Sequence, residues 1–190
     1  MVSVRRRVRP GSQLNSQKTI IKNKTRMALE IERKYLLSDL PIIPKSVETV
    51  EKKLSQFYNQ RDGFRYRMES FFDKTEGRKK VTYYKTKKKE LSPGVLDEDE
   101  SIITEPEWVE GSQASERFVQ KRRTEFYITE GDTKVKWFID SLYTGEILAE
   151  VELPSVDTEF TIPDYIQSCI VKEVTDDKAY TNRRLAVKLH

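Results

Sequence analysis

A chain of 190 residues is long enough for one domain with a buried core, and its 36% apolar and 35% charged side chains describe a globular protein of unusually polar make-up. The single cysteine, Cys169, excludes an internal disulfide. No apolar run approaches the length of a membrane span and no apolar segment follows the basic N-terminus, so a cytoplasmic protein off the membrane is expected.

The net charge of +4 is uneven. Residues 1–26 hold eight basic side chains (Arg5, Arg6, Arg7, Arg9, Lys18, Lys22, Lys24 and Arg26) and no acidic one, which leaves 27 basic against 31 acidic side chains in residues 27–190. With few large apolar residues, 1–26 is predicted to be a disordered basic extension, able to meet nucleic acid through its phosphates.

In the first predicted strand, Leu29 to Tyr35, alternation puts Glu30, Glu32 and Lys34 on one face and Leu29, Ile31, Arg33 and Tyr35 on the other. Two prolines mark 38–44 as a turn. Val47, Val50, Leu54 and Phe57 then fall at helical spacing behind Ser46, which predicts a capped helix. Arg61-Asp62-Gly63 turns the chain into a strand, Phe64 to Met68, with Arg65 and Arg67 on one face. Polar residues 69–80 read as a hairpin loop, followed by a strand from Val81 to Lys88. Lys85 and Lys87 share one of its faces, Thr86 and Lys88 the other.

Ser92-Pro93-Gly94 is a turn, and in the acidic run behind it Glu98 and Glu100 share a face if the segment is extended. Thr104 and Glu107 form a capping box that opens a short helix around Trp108. Val119 to Ile128 is a strand with Lys121 and Arg123 alternating, and it pairs across Gly131 with Lys134 to Asp140. Ala149 to Leu153 places Glu150 and Glu152 together, opposite three apolar residues. Pro163 is expected to begin a late helix carrying Ile166 and Ile170, and Thr175 to cap a last one through Tyr180.

Five strand segments thus carry charge on one face and apolar groups on the other, while single-faced helices need an apolar surface to cover. An open sheet would present the charged faces to solvent, whereas a closed antiparallel barrel would turn them into its lumen. Unpaired charge is costly to bury, so such a lumen is expected to hold water or ionic ligands, namely a polyanion and a metal. Carboxylates without thiolate or imidazole favour hard cations such as Mg²⁺, Mn²⁺ or Ca²⁺, and arginine and lysine suit phosphate oxygens. With His190 the lone histidine, histidine triads and zinc sites are excluded. Phosphoryl transfer needs mainly positioning and charge neutralisation, which these clusters can supply.

Glu30-Ile31-Glu32-Arg33-Lys34 resembles the E-x-E-x-K signature of the CYTH superfamily, the triphosphate tunnel metalloenzymes. Later motifs follow in that family's order: Arg65-x-Arg67, Thr86-x-Lys88, Lys121-x-Arg123, the lone Asp140, Glu150-x-Glu152, and Glu173-Val174-Thr175 with Tyr180-Thr181-Asn182. The resemblance spans residues 27 to about 187 and implies a CYTH-like tunnel domain over 27–190, an α+β fold built on a closed eight-stranded antiparallel barrel with helices packed outside. It further implies hydrolysis of a phosphoanhydride in inorganic tripolyphosphate or a small organic triphosphate with Mg²⁺ or Mn²⁺. On that pattern Glu30, Glu32, Glu150 and Glu152 hold metal and orient water. Lys34, Arg65, Arg67, Lys88, Lys121 and Arg123 grip phosphates, and Asp140 positions a basic neighbour or a water.

Two departures stand out: Leu96 precedes Glu98 and Glu100 where the family often has arginine, and Lys88 competes with Lys85 and Lys87. An RNA 5′-triphosphatase guided by the basic extension, a class IV-type adenylate cyclase, and a non-catalytic polyphosphate or nucleotide-binding protein are the alternatives.

Overall fold

The computed structural model describes residues 26–189, so the reading of 1–26 as a disordered extension falls outside the described residues but for Arg26. Ten strands carry the fold: β1 (Arg26–Leu37), β2 (Thr49–Tyr58), β3 (Arg65–Asp73), β4 (Arg78–Ser92), β5 (Val95–Ile103), β6 (Arg117–Glu130), β7 (Thr133–Leu142), β8 (Ile147–Glu152), β9 (Ile170–Glu173) and β10 (Val187–Lys188). Helix α1 (Glu105–Gln113) lies between β5 and β6, α2 (Asp164–Gln167) precedes β9, and a 3₁₀ turn (Lys178–Tyr180) leads into α3 (Asn182–Leu185).

The strands pair in the ring β6-β2-β3-β4-β5-β1-β8-β7, and β7 returns to β6, all antiparallel; β9 and β10 add short pairings to β1 and β6. Eight strands therefore form a closed barrel, which leaves the ring without an open edge. β1 is the seam, pairing with β5 over Arg26–Ile31 and with β8 over Glu32–Leu37. Gly94, in the β4–β5 turn, sits at φ +69° and its carbonyl accepts the Glu32 amide at 2.8 Å. A Cβ there would come 2.6 Å from the Glu32 carbonyl oxygen, so the residue that turns the hairpin must also be the one without a side chain.

Four expectations give way. The late helix follows Pro163 and carries Ile166 but ends at Gln167, and Ile170 instead opens the strand β9, which pairs with β1. Residues 49–58 are the strand β2, not a helix: Val50 and Leu54 suit either period and Phe57 only the helical one, but the segment lies between β3 and β6 and hydrogen-bonds to both, which a helix could not do. The loop expected at 69–80 shrinks to 74–77, because β3 runs on to Asp73, whose carboxylate accepts the Thr75 and Glu76 amides to cap the turn. Thr175 caps no helix; its hydroxyl accepts from the Lys34 amide and donates to Glu173, while Asp177 and Thr181 cap the 3₁₀ turn and α3. The Thr104–Glu107 capping box is present at α1.

Two apolar clusters sit on opposite sides of the barrel wall. Outside, Tyr35, Leu37, Phe126, Val135, Trp137, Ile139, Ala149 and Val151 are covered by Ile166 of α2 and by Leu153, Phe160, Ile162 and Ile170 around it. Inside, at one end of the lumen, Tyr58, Val119, Leu142 and Leu148 meet Val174, Tyr180, Leu185 and Ala186 of the C-terminal segment. The expectation of helices packed outside holds for α1, where the Phe57 and Tyr83 rings flank Trp108, and for α2; α3 instead helps to close a barrel end. Among the described residues no helix is long and apolar enough to cross a membrane.

Candidate active site

Because alternate residues of each strand point inward, the charged dyads converge on one cavity of about 660 Å³. Ten of the eleven site residues named from the sequence line it, and the eleventh, Asp140, lies fully buried in the wall behind.

The β1–β8 register sets Glu32 opposite Glu152 and Lys34 opposite Glu150. Lys34 Nζ donates to Glu150 Oε1 at 3.0 Å and to Glu32 Oε1 at 3.3 Å. The far oxygen of Glu150 accepts from Arg123 Nη2 at 2.8 Å. Arg123 in turn forks onto Asp140, Nε to Oδ1 at 2.7 Å and Nη2 to Oδ2 at 2.6 Å, and Lys121 Nζ joins the same carboxylate at 2.5 Å. One charge chain, Lys34–Glu150–Arg123–Asp140–Lys121, thus links β1, β8, β6 and β7. Asp140 is the counter-charge that lets two cations stay buried side by side.

These neighbours decide the titration of each group. Burial opposes the charge on Glu150, but Lys34, Lys121 and Arg123 outweigh it and hold the carboxyl well below its usual range. Burial likewise opposes the charge on Lys34, and Glu150 and Glu32 reverse the balance and raise it. For Lys121, burial and the adjacent Arg123 win over Asp140 and push the ammonium down to about 8. Burial raises Glu32, with Glu150 and Glu30 adding to it against Lys34, and burial raises Glu152, with Glu30 and Glu150 adding to it against Lys136. The acidic edge is crowded with like charge.

Across the lumen, Arg65 Nη2 lies 3.6 Å from Glu98 and 3.3 Å from Glu100, and Arg67 Nη2 is 3.0 Å from Glu100. Thr86 donates to Glu100 at 2.8 Å. The strand neighbours answer which lysine faces inward: Lys88 pairs with Glu30 and Glu98, whereas Lys85 and Lys87 lie over the Phe64 ring. Glu98 and Glu100 are lumen residues, held by arginine and lysine. Arg65 Nε and Arg67 Nε are buried donors with no hydrogen-bond partner, a costly state that an anion oxygen would relieve.

Several lumen residues escaped the sequence reading. Lys52 bridges Glu69 at 2.8 Å and Glu125 at 3.0 Å, with Lys136 3.5 Å from Glu125. Lys52 was hidden in the segment read as a helix and Glu69 in the one read as a loop. Glu125 continues the Lys121–Arg123 alternation and Lys136 precedes Phe138 and Asp140 by the same period, so both were legible. Tyr84 and Phe138 lie under the guanidinium groups of Arg67 and Arg123, at 4.5 and 4.1 Å from their centroids. Asn182 Oδ1 accepts from Lys121 at 3.3 Å.

Among the described residues no three acidic side chains stand together as a ready-made metal cage. The carboxylates come in cross-strand pairs, and lysines or arginines occupy several of their oxygens. Such a donor set fits Mg²⁺ or Mn²⁺, because the small hard cation is commonly held by one or two carboxylates and completed by water and substrate phosphate.

No protein-family model and no curated protein matches the chain. Similar solved structures include two of NE1496, one of them named the inorganic triphosphatase NE1496: identities are 25% and 24%, covering 85% and 84% of this chain and 99% and 95% of theirs, each with a TM-score of 0.49. PH1012 from Pyrococcus horikoshii OT3 is 14% identical over 67% of this chain and 80% of its own, with a TM-score of 0.45. The protein is a closed eight-stranded antiparallel barrel with a charge-lined lumen. It resembles the CYTH superfamily in the order of its motifs and in this tunnel.

Proposed function

We propose that this protein is a divalent-metal-dependent triphosphatase acting on inorganic tripolyphosphate or a small organic triphosphate, within a tunnel domain spanning 27–190. The observation that carries the reading is the division of one closed lumen: a crowded acidic edge on β1 and β8 faces arginines on β3 whose buried Nε donors lack acceptors. Phosphate oxygens are the acceptors that suit planar guanidinium forks.

Glu32 and Glu152, opposite one another, would hold Mg²⁺ or Mn²⁺, with Glu30 and Glu150 completing the acidic edge. When bound, the metal neutralises phosphate charge and lowers the pKa of a coordinated water. The chain's own residues do the positioning. Arg65 and Arg67 receive phosphate oxygens, Lys88 and Lys34 exchange part of their carboxylate pairing for phosphate, and Arg123 and Lys121 are kept aimed by Asp140. Glu98 and Glu100 hold the arginines in place before substrate enters. A lumen walled by strands and plugged at one end strengthens each contact by limiting bulk water.

Phosphate release from tripolyphosphate with Mg²⁺ or Mn²⁺ tests the reading. Glu32→Gln is expected to reduce turnover by about a hundredfold or more while leaving the fold intact, on the scale of lost metal ligation. Full activity in Glu32→Gln and Glu152→Gln together would overturn the site. Pyrophosphate and a cyclic nucleotide from ATP, in place of phosphate, would replace hydrolysis with cyclisation.

A further inference from the structure

Beside the C-terminal segment lies a second cavity, of about 400 Å³, lined by Gln60, Arg117, Lys178, Thr181, Arg183 and Arg184. Lys178, Thr181 and Arg183 line both this space and the lumen, so the two adjoin. Four of the six lining side chains are basic, none is acidic and none is aromatic. Lys178 is neutralised by Glu90 and Arg117 donates to the Ala186 carbonyl, but Arg183 and Arg184 are exposed and enter no ion pair or side-chain hydrogen bond among the described residues. Lys121 of the lumen donates to Asn182 Oδ1 at 3.3 Å, and Asn182 stands between Thr181 and Arg183 in the chain.

This charge exceeds what a triphosphate needs. Three phosphates are served by the lumen cations, and a linear triphosphate held there would leave the outer arginines facing water. Grouping like charges on one rim costs self-repulsion, and a polyanion that continues out of the lumen removes it.

We infer that the rim formed by Arg183 and Arg184, with Arg117 behind them, is an extension subsite for condensed inorganic phosphate chains longer than three units. The inference rests on the triphosphate-lumen reading and names a substrate class for it. A nucleic-acid ligand would offer similar charge, but single-stranded bases are usually held by stacking on aromatic rings, and this cavity has none. A bare phosphate chain asks only for cations and hydrogen-bond donors, which the lining supplies.

Titration of the full chain in the presence of a chelator, so that nothing turns over, tests the subsite. The probes are tripolyphosphate, a medium-chain linear polyphosphate and a 5′-triphosphorylated oligoribonucleotide. Arg183→Ala/Arg184→Ala is expected to weaken the medium-chain polyphosphate about tenfold, on the scale of two exposed charge contacts, and tripolyphosphate less than about twofold. Arg183→Lys/Arg184→Lys should recover most of the loss.

Equal losses for the two phosphates, or none for the longer one, would overturn the subsite. An oligoribonucleotide weakened as much as polyphosphate would overturn the assignment to inorganic chains. The expected binding pattern with no phosphate release under Mg²⁺ or Mn²⁺ would support the rim and count against the catalytic reading alone.

Discussion

The two stretches of the barrel lumen are built from the same strands with the same alternation, yet one is ionic and the other apolar. On β8 the inward positions read Leu148, Glu150, Glu152; on β6 Val119, Lys121, Arg123; on β1 Leu36, Lys34, Glu32; on β7 Leu142, Asp140, Phe138. The change occurs within one inward step on each strand. What differs is the cover: Val174, Tyr180, Leu185 and Ala186 close the apolar end, so water is excluded there and each leucine or valine gains from burial. Beyond their reach the charged side chains must satisfy one another or a ligand. The lumen is therefore a dry plug joined to an ionic chamber, and the boundary lies where Asp140 meets Lys121 and Asn182.

Breaking the ionic side should cost most at that boundary. Asp140→Ala leaves Lys121 and Arg123 buried with their shared counter-charge gone, and a loss of about 4 kcal/mol is expected in chemical denaturation. A loss below about 1 kcal/mol would show that the two cations are hydrated and that water reaches the boundary. On the apolar side, Leu148→Ala removes a fully buried side chain from the plug and is expected to cost about 3 kcal/mol through lost burial and the cavity left behind. An unchanged denaturation midpoint would mean that the C-terminal segment is not packed as a core.

The smallest effect is a pH dependence within the chamber. Burial opposes the charge on Glu69, but Arg67 and Lys52 outweigh it and hold its carboxyl below the usual glutamate range. A carboxyl lowered on folding contributes stability that is present above its unfolded value and is lost as pH falls through the folded one. Denaturation at about pH 7 and about pH 3.5 should therefore show a shallower acid loss for Glu69→Gln than for the parent chain. Identical acid limbs would remove Glu69 from the ion network.

Much of the chamber was legible in the sequence because a strand writes its two faces as alternate residues. Glu30/Glu32, Arg65/Arg67, Lys121/Arg123 and Glu150/Glu152 declare themselves without knowledge of their partners. Lys52 did not, since Val47, Val50, Leu54 and Phe57 fit a helical period, and only the two neighbouring strands force residues 49–58 to extend. Lys88 could not be separated from Lys85 and Lys87 by type or spacing, because inward and outward are defined by pairing with Glu98 on β5. Glu98 and Glu100 were ambiguous for the same reason.

The sequence alone determined which charges share a strand face and that hard-cation and phosphate chemistry suit them, since both follow from side-chain type and the two-residue repeat. Only the tertiary structure decided that those faces look inward, that Glu32 stands opposite Glu152, that Asp140 holds two cations, and that the C-terminal segment plugs one end. Strand register and barrel closure are set by hydrogen bonds and packing between residues far apart in the chain, and no local pattern encodes them.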